Sequence, residues 1–141
     1  MLQDNSDFAV AEYAVAQTGD ILVSAYQEAI EVQDEKRSLW AYCLRVENNS
    51  NQKIRLIKKD FRITDSFGNS YFEQGYGFHA ELPDLEAGEC YEFEDTITIC
   101  GAAAVLYGFC VAQTEGGDEF KIKLPIMQLA AVEKDKYVSK H

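Results

Sequence analysis

The residues whose types and spacing come closest to a known chemical motif lie near the middle of the chain. Gly75, Gly77 and Ala80 have the spacing G-x-G-x-x-A, which approaches the dinucleotide fingerprint, in which glycines allow a tight turn and close contact between backbone and pyrophosphate. The fingerprint also needs a following helix, and Pro83 and Gly88 interrupt the next turns. We therefore favour glycines that let a β-loop fold tightly, with a weak phosphate, pyrophosphate or nucleotide ligand as the alternative.

His79 and Glu81 lie in the same stretch, and an imidazole beside a carboxylate suits either a metal site or an acid–base pair. The only other histidine is His141, the last residue, so a third internal ligand is missing. This distribution argues against a catalytic triad or a histidine-rich zinc site. We expect His79 to lie on the loop surface, and we expect no catalytic residue, metal or cofactor.

Two aromatic residues of this stretch, Tyr76 and Phe78, alternate with glycines. Neighbouring glycines provide no side chains to bury them, so we expect Phe78 to be exposed like Tyr76 and to suit an interface hot spot. The alternative is that both rings fold back and close the end of the domain. The predicted ligand or partner-binding loop consists of Gly75, Tyr76, Gly77, Phe78, His79, Ala80 and Glu81.

Five cations precede this loop within ten residues: Lys53, Arg55, Lys58, Lys59 and Arg62. Such a local positive field suits a phosphate or an acidic partner. Lys58 and Lys59 are the candidate anion contacts. A solvated face that balances an acidic surface is the favoured alternative.

The bulk composition restricts the classes of partner. The 141 residues fit one domain with its own core. The net charge of −11 repels nucleic acid and anionic lipid, so we expect neither as a partner. Asp4, Asp7 and Glu12 do not fit a secretory signal, and no apolar run reaches the ~20 residues of a membrane helix.

The four cysteines are spaced too widely for a CxxC site. An immunoglobulin disulfide framework places its tryptophan after the first cysteine, whereas Trp40 precedes Cys43. We expect Cys43, Cys90, Cys100 and Cys110 to be reduced residues in or near the core, in a reducing compartment.

The elements that must position the loop read as strands. Residues 39–47 alternate strictly, which places Trp40, Tyr42, Leu44 and Val46 on one buried face. Turns are predicted at 18–20, 34–37, 48–51, 65–69, 87–89, 100–104 and 115–118. The pieces 54–57 and 61–64 read as strands broken by Lys58-Lys59-Asp60. Asn5-Ser6-Asp7 could cap a short helix through Ala16, with a weak strand or disorder as alternatives.

The second half shows the same alternation. Tyr91, Phe93, Ile97 and Ile99 share one face; Val105, Tyr107, Phe109 and Val111 alternate likewise; and Phe120, Ile122 and Leu124 form the predicted last strand before Pro125. About seven short strands without a convincing amphipathic helix predict an all-β, two-sheet antiparallel sandwich of the immunoglobulin type. We predict a flexible extension at 1–12, the domain at 13–131 and a solvated tail at 132–141.

A family resemblance supports this architecture. It is carried by Trp40-Ala41-Tyr42, Val46-Glu47-Asn48 with Ser50, Leu56-Ile57 with Lys59, Ile63-Thr64-Asp65 with Gly68, Gly75-Tyr76-Gly77 with Glu81, Pro83, Leu85 and Gly88-Glu89, and finally Phe120, Leu124-Pro125 and Leu129. This order of features resembles the ApaG family over about residues 13–131.

The resemblance implies a fibronectin-III-like sandwich, cytoplasmic in bacteria and without an established enzymatic activity. It also implies links to cobalt and magnesium tolerance, phosphate or nucleotide binding by the G-x-G-x-x-G loop, and protein interaction in eukaryotic members. We expect a non-enzymatic, cytoplasmic binding module with a protein partner and an indirect role in metal tolerance; a homodimer is left open.

The sequence departs from the family pattern where phosphate would bind. Ala80 replaces the third glycine, and Lys59 and Phe61 replace the usual Arg and Trp. Lysine lacks the bidentate fork of arginine, and alanine adopts a positive φ less readily than glycine. These departures weaken the phosphate hypothesis and leave the sandwich unaffected.

Overall fold

The computed structural model of the protein describes residues 13–32 and 37–130. The strands are β1 (Tyr13–Thr18), β2 (Ile21–Val32), β3 (Arg37–Asn48), β4 (Ile54–Asp65), β5 (Ser70–Tyr76), β6 (Asp84–Leu85), β7 (Cys90–Cys100), β8 (Ala103–Thr114), β9 (Glu119–Lys123) and β10 (Met127–Ala130). Among these residues no helix has the length and apolarity to span a membrane.

The strands form two antiparallel sheets. Sheet A has the order β1-β2-β3-β7, and sheet B has the order β10-β8-β4-β5, with β6 beside β4 and β9 beside β8. The predicted all-β, two-sheet antiparallel sandwich is therefore confirmed. β7 is an edge strand of sheet A and β5 is an edge strand of sheet B, and the central loop lies beside these two edges.

The aromatic face of β3 forms much of the core. Trp40, Tyr42, Leu44 and Val46 are all at most 2% exposed, which confirms the predicted alternation. Phe61 of β4 meets Phe93 of β7 edge-on across the two sheets, with ring centroids 5.8 Å apart. Aromatic pairs in this geometry add to the stabilisation from burial.

The predicted break at Lys58-Lys59-Asp60 is wrong, because β4 is continuous from Ile54 to Asp65. The register shifts between Leu56 and Lys58, which marks a bulge containing one extra residue. The bulge changes which residues face the core. Before it, Ile54 and Leu56 are buried; after it, Lys59, Phe61 and Ile63 are buried.

The N-terminal helix alternative is wrong where the structure tests it. Residues 13–16 belong to β1, which pairs with β2 around the turn at Thr18-Gly19-Asp20. That turn was predicted correctly, and pairing across it stabilises a strand. Residues 1–12 lie outside the described residues, as do 34–36 of the predicted charged turn and the predicted tail 132–141, so the predicted domain boundaries stay predictions. Arg37, the last residue of that predicted turn, begins β3.

The strand ending before Pro125 is not the last. β9 ends at Lys123, and β10 follows and pairs with Ala103 to Leu106 of β8. Both short strands lie on the same side of β8, since β9 pairs with residues 109–113. A four-residue strand carries too little alternation to be recognised by pattern.

In β8 the even-numbered residues face the core. Ala104, Leu106, Cys110 and Ala112 are buried, whereas Val105, Tyr107 and Phe109 lie on the outer side. Gly108 has φ +135°, and a Cβ there would clash with the carbonyl oxygen of Asp60. The close approach of β8 to β4 thus requires glycine at this position.

All four cysteines are unbridged. Cys43 and Cys110 are buried and Cys100 is half-buried, as expected. Cys90 is exposed, so its predicted place near the core is wrong: it begins β7 on the outward-facing side of sheet A.

Candidate functional site

The central loop is a tight hairpin that follows β5. The amide of Gly77 donates to the carbonyl of Ile57 (2.7 Å), and Phe78 and Glu81 exchange two backbone hydrogen bonds of 2.7 and 3.0 Å. The two residues between them, His79 and Ala80, have φ +50° and +68°. Positive φ at both central positions is the geometry of a type I′ hairpin turn.

This geometry explains the G-x-G-x-x-A spacing. Gly75, Gly77 and Ala80 all have positive φ, at +136°, +82° and +68°. A Cβ on Gly77 would approach the carbonyl oxygen of Glu81 to 3.0 Å. The motif therefore has a tight β-loop as its structural basis, and the next element along the chain is the strand β6 rather than a helix.

The loop separates its two aromatic residues. Phe78 is 1% exposed and meets Phe93 edge-on at 5.5 Å and Tyr91 at 5.9 Å, so the expected exposure of Phe78 is wrong. The hairpin folds back toward β7, which lets this ring fill the space between the sheets. Tyr76 is 78% exposed, as predicted.

The buried side chain of Lys59 holds the loop in place through a hydrogen bond. The β4 bulge directs Lys59 inward, where it is 9% exposed and its Nζ donates to the carbonyl oxygen of Gly77 at 2.9 Å. Glu73 lies 3.9 Å from the same Nζ, and the Phe78 and Phe93 rings lie beneath it at 5.6 and 5.7 Å. The ammonium is thus directed at the protein's own groups.

Lys58 takes the opposite direction. It lies beside Tyr76 in the register of β4 and β5, and its Nζ is 5.7 Å from the centre of that ring. Of the two predicted anion contacts, Lys58 is the one on the outer face. Anion binding by either lysine stays a prediction.

His79 joins the loop to the other sheet. Its Nε2 donates to the backbone carbonyl of Glu94 at 2.7 Å, and its ring stacks on Phe93 with centroids 4.5 Å apart. His79 is exposed at its surface, as expected. Glu81 is also exposed and joins the hairpin through its backbone rather than through a pairing with His79.

Two groups beneath or beside the loop are held in their neutral forms. Burial raises the pKa of Tyr42 far above its usual range, and the negative charges of Asp95 and Glu73 raise it further. Burial raises the pKa of the Cys110 thiol to about 12, although Lys59 opposes the shift. A protonated phenol and a protonated thiol are poor nucleophiles at neutral pH.

The remaining candidate ligands lie elsewhere. Among the described residues, Cys43, Glu92 and Glu94 are the one group of three whose ligand atoms come within 4.8 Å of one another. They lie on sheet A and do not include His79. The side chain of Cys43 is fully buried.

Sequence reasoning missed several exposed aromatic residues outside the loop. Phe72 of β5 is 58% exposed and Tyr107 of β8 is 36% exposed. Both lie beside Arg62 of β4 in the sheet register. The alternation of each strand contained the signal, but the faces could be assigned only after the bulge in β4 was known.

Comparison with known proteins agrees with this fold. A family model described as the ApaG domain matches residues 28–112. ApaG of Rhizobium meliloti is 30% identical over 117 residues, which cover 81% of this chain and 90% of the relative. ApaG of Agrobacterium fabrum is 29% identical with the same coverage.

Solved structures show the same architecture. An X-ray structure of a structural-genomics target covers 81% of this chain and 89% of its own, with a TM-score of 0.76 and 24% identity. A Bordetella pertussis protein described as ApaA covers 86% and 97%, with a TM-score of 0.71 and 20% identity. On the family match and the 30% identical relative, the chain belongs to the ApaG domain family.

Proposed function

We propose that the protein is a non-enzymatic binding module whose partner is another protein, and that the partner contacts the Gly75–Glu81 loop. The exposed ring of Tyr76 carries this proposal. It is 78% exposed, and large exposed aromatics on a fixed backbone are typical anchors of interfaces.

The loop is held before any partner arrives. Phe78 anchors it in the core, Lys59 bonds the carbonyl of Gly77, and His79 bonds the carbonyl of Glu94. A loop that is already ordered loses less conformational entropy on binding. This arrangement favours recognition by a preformed surface.

The chemistry of Tyr42, Cys110 and His79 supports a non-enzymatic role. Tyr42 and Cys110 are held protonated by burial, and the Nε2 of His79 is engaged with a backbone carbonyl. An activated nucleophile needs a neighbouring base or a lowered pKa. These three residues do not meet that requirement.

The proposal is tested by affinity capture with the immobilised chain and its Tyr76→Ala variant. We expect the variant to lose the captured protein while its melting temperature stays within a few degrees, because the ring is exposed. Phe67→Ala is the matched control, since Phe67 is 68% exposed in the turn after β4. Equal capture by the wild type and Tyr76→Ala would contradict the proposal. Light scattering shows whether the partner is a second copy.

A weak phosphate, pyrophosphate or nucleotide ligand is the second candidate, favoured by the position of Lys58 beside the loop. It has less support, because Lys59 is directed to Gly77 and the turn contains Ala80. Calorimetric titration of pyrophosphate, ATP and GTP, with and without Mg²⁺, tests it together with a phosphate-release assay. This candidate requires a Kd below about 1 mM that rises in the Lys58→Ala variant. No detectable binding at about 1 mM ligand would reject it.

The proposed location is the cytoplasm, with an indirect role in cobalt and magnesium tolerance and a fibronectin-III-like sandwich, as in the family. The support is family membership. A strain lacking the protein should grow poorly in raised cobalt, and Tyr76→Ala should fail to restore growth if the role depends on the partner. Normal growth of the deletion strain would reject the tolerance role.

A further inference from the structure

The outer face of sheet B combines aromatic rings with cations. β5 contributes Phe72 and Tyr76, β4 contributes Lys58 and Arg62, and β8 and β9 contribute Phe109 and Lys121. We call these six residues the basic-aromatic face. In the strand register, Lys58 lies between Tyr76 and Val111, and Lys121 lies beyond Val111.

Each of the three rings of this face has a cation within cation–π distance. The Nζ of Lys58 is 5.7 Å from the Tyr76 ring centre, and the Arg62 guanidinium is 5.7 Å from that of Phe72. The Nζ of Lys121 is 4.5 Å from that of Phe109. Cation–π contacts of this kind hold long side chains over the sheet and keep the charge at the surface.

The face has the opposite sign to the protein as a whole. Its central carboxylate, Asp60, already accepts hydrogen bonds from Gln74 and Arg62. Lys123, paired with Phe109 in the register, adds a further cation. The chain carries a net charge of −11, so a positive area on it directs acidic partners to one place.

We propose that the basic-aromatic face docks an acidic segment of a partner protein, with acidic side chains on the cations and apolar side chains between the rings. The proposal rests on the proposed function, because Tyr76 belongs to both the loop and the face. Charge complementarity identifies the occupant. The face contains Tyr, Phe and Arg, which are residue types enriched in protein–protein interfaces.

A single-stranded nucleic acid fits the face less well. Bases stack on open aromatic faces, whereas Lys58, Arg62 and Lys121 each place a cation over one of the three rings, where it would compete with a stacked base. The strongly acidic remainder of the chain would also repel the phosphate backbone. A nucleic acid ligand is therefore an outcome for the experiment to reject.

The experiment measures fluorescence anisotropy of three labelled probes titrated with the full chain: a peptide of alternating Glu and Phe, the same peptide with Gln for Glu, and oligothymidylate. The test variant combines Arg62→Glu with Lys121→Glu. The control combines Arg45→Glu with Arg37→Glu, both on β3 of sheet A, which changes the net charge equally off the face. A milder pair, Arg62→Gln with Lys121→Gln, repeats the test, and circular dichroism verifies folding.

We expect the Glu peptide to bind, the Gln peptide to bind at least about tenfold more weakly, and the test variant to lose about tenfold or more in affinity. The control should change affinity less than about twofold. Absence of Glu-peptide binding at about millimolar, an equal loss in the control, or tighter binding of oligothymidylate would overturn the inference. If the Glu peptide fails while Tyr76-dependent capture persists, only the acidic class of partner is wrong.

Discussion

The Nζ of Lys59 donates a hydrogen bond of 2.9 Å to the carbonyl oxygen of Gly77, a residue 18 positions later in the sequence. This bond joins the β4 bulge to the central loop. The bulge at Leu56–Lys58 is what directs Lys59 inward. The same bulge leaves Lys58 on the outer side, beside Tyr76. Because of this one extra residue, Lys59 points inward and bonds the loop, whereas the adjacent Lys58 points outward and places its charge at the surface.

Replacing Lys59 with Met should destabilise the protein by about 1.5–3 kcal/mol. Methionine keeps most of the stem but removes a charged donor from a buried carbonyl, and hydrogen bonds to charged groups have about this value. Urea unfolding measures the loss. Lys58→Met is the neighbouring control and should stay within about 0.5 kcal/mol. Equal small effects at both positions would show that the Lys59–Gly77 bond does not hold the loop.

Ala80→Gly should stabilise the protein by about 0.5–1 kcal/mol. Alanine at φ +68° is strained, and the left-handed region costs an L-residue about 1–2 kcal/mol, partly offset by the greater freedom of glycine in the unfolded chain. The comparison is Ala16→Gly in β1, which should destabilise by about 0.5–1 kcal/mol. A destabilising Ala80→Gly, measured by the same urea unfolding, would contradict the positive φ at this position.

The turn after β4 should give the protein an acid-sensitive contribution to stability. Burial raises the pKa of Asp65, but hydrogen bonds from Asn69, Tyr71 and Phe67 lower it more, so the net shift is downward. Tyr71 donates to Asp65 at 2.8 Å, and its own pKa is raised to about 12, first by burial and then by this bond.

Because the folded pKa of Asp65 lies below the unfolded value of about 3.9, its contribution is complete above that pH and is lost as pH falls through the folded pKa. Urea unfolding of wild type and Asp65→Asn between pH 2 and pH 7 measures it. The stability difference should be largest at neutral pH and shrink in acid. A difference independent of pH would show that the Asp65 charge does not contribute.

Trp40→Ala should cost about 3–5 kcal/mol, the usual range for removing a buried large aromatic. Trp40 is fully buried and is the only tryptophan, so its fluorescence also reports wild-type unfolding. Trp40→Phe should cost clearly less than Trp40→Ala. A loss below about 0.5 kcal/mol, in the range of surface substitutions, would contradict the core position.

The sequence predicts the fold where strands are long and regular. The alternation around Trp40 places four side chains correctly because a period of two is unambiguous over nine residues. The glycine-containing turns at Gly19 and Gly68 are also correct, and both glycines have positive φ. Local residue preferences are sufficient for features of this kind.

The site is predicted less completely because its geometry depends on distant contacts. Lys58-Lys59-Asp60 reads as a break, since three charged residues rarely occupy a central strand; the bulge that accommodates them has no local signature. Phe78 reads as exposed because its neighbours are small, and its burial depends on Phe93, fifteen residues away. Asn48 falls in a predicted turn, but its Nδ2 donates to the carbonyls of Gln52 and Leu85, and the second of these contacts has no local signature.

The central claim is that the two aromatics of one loop have separate roles, with Phe78 in the core and Tyr76 available to a partner. The most direct measurement is the free energy of unfolding in urea of Phe78→Ala and Tyr76→Ala. We predict a loss of about 3–5 kcal/mol for Phe78→Ala and a change within about 0.5 kcal/mol for Tyr76→Ala. Comparable losses for the two variants would contradict the claim, because Tyr76 would then belong to the core as well.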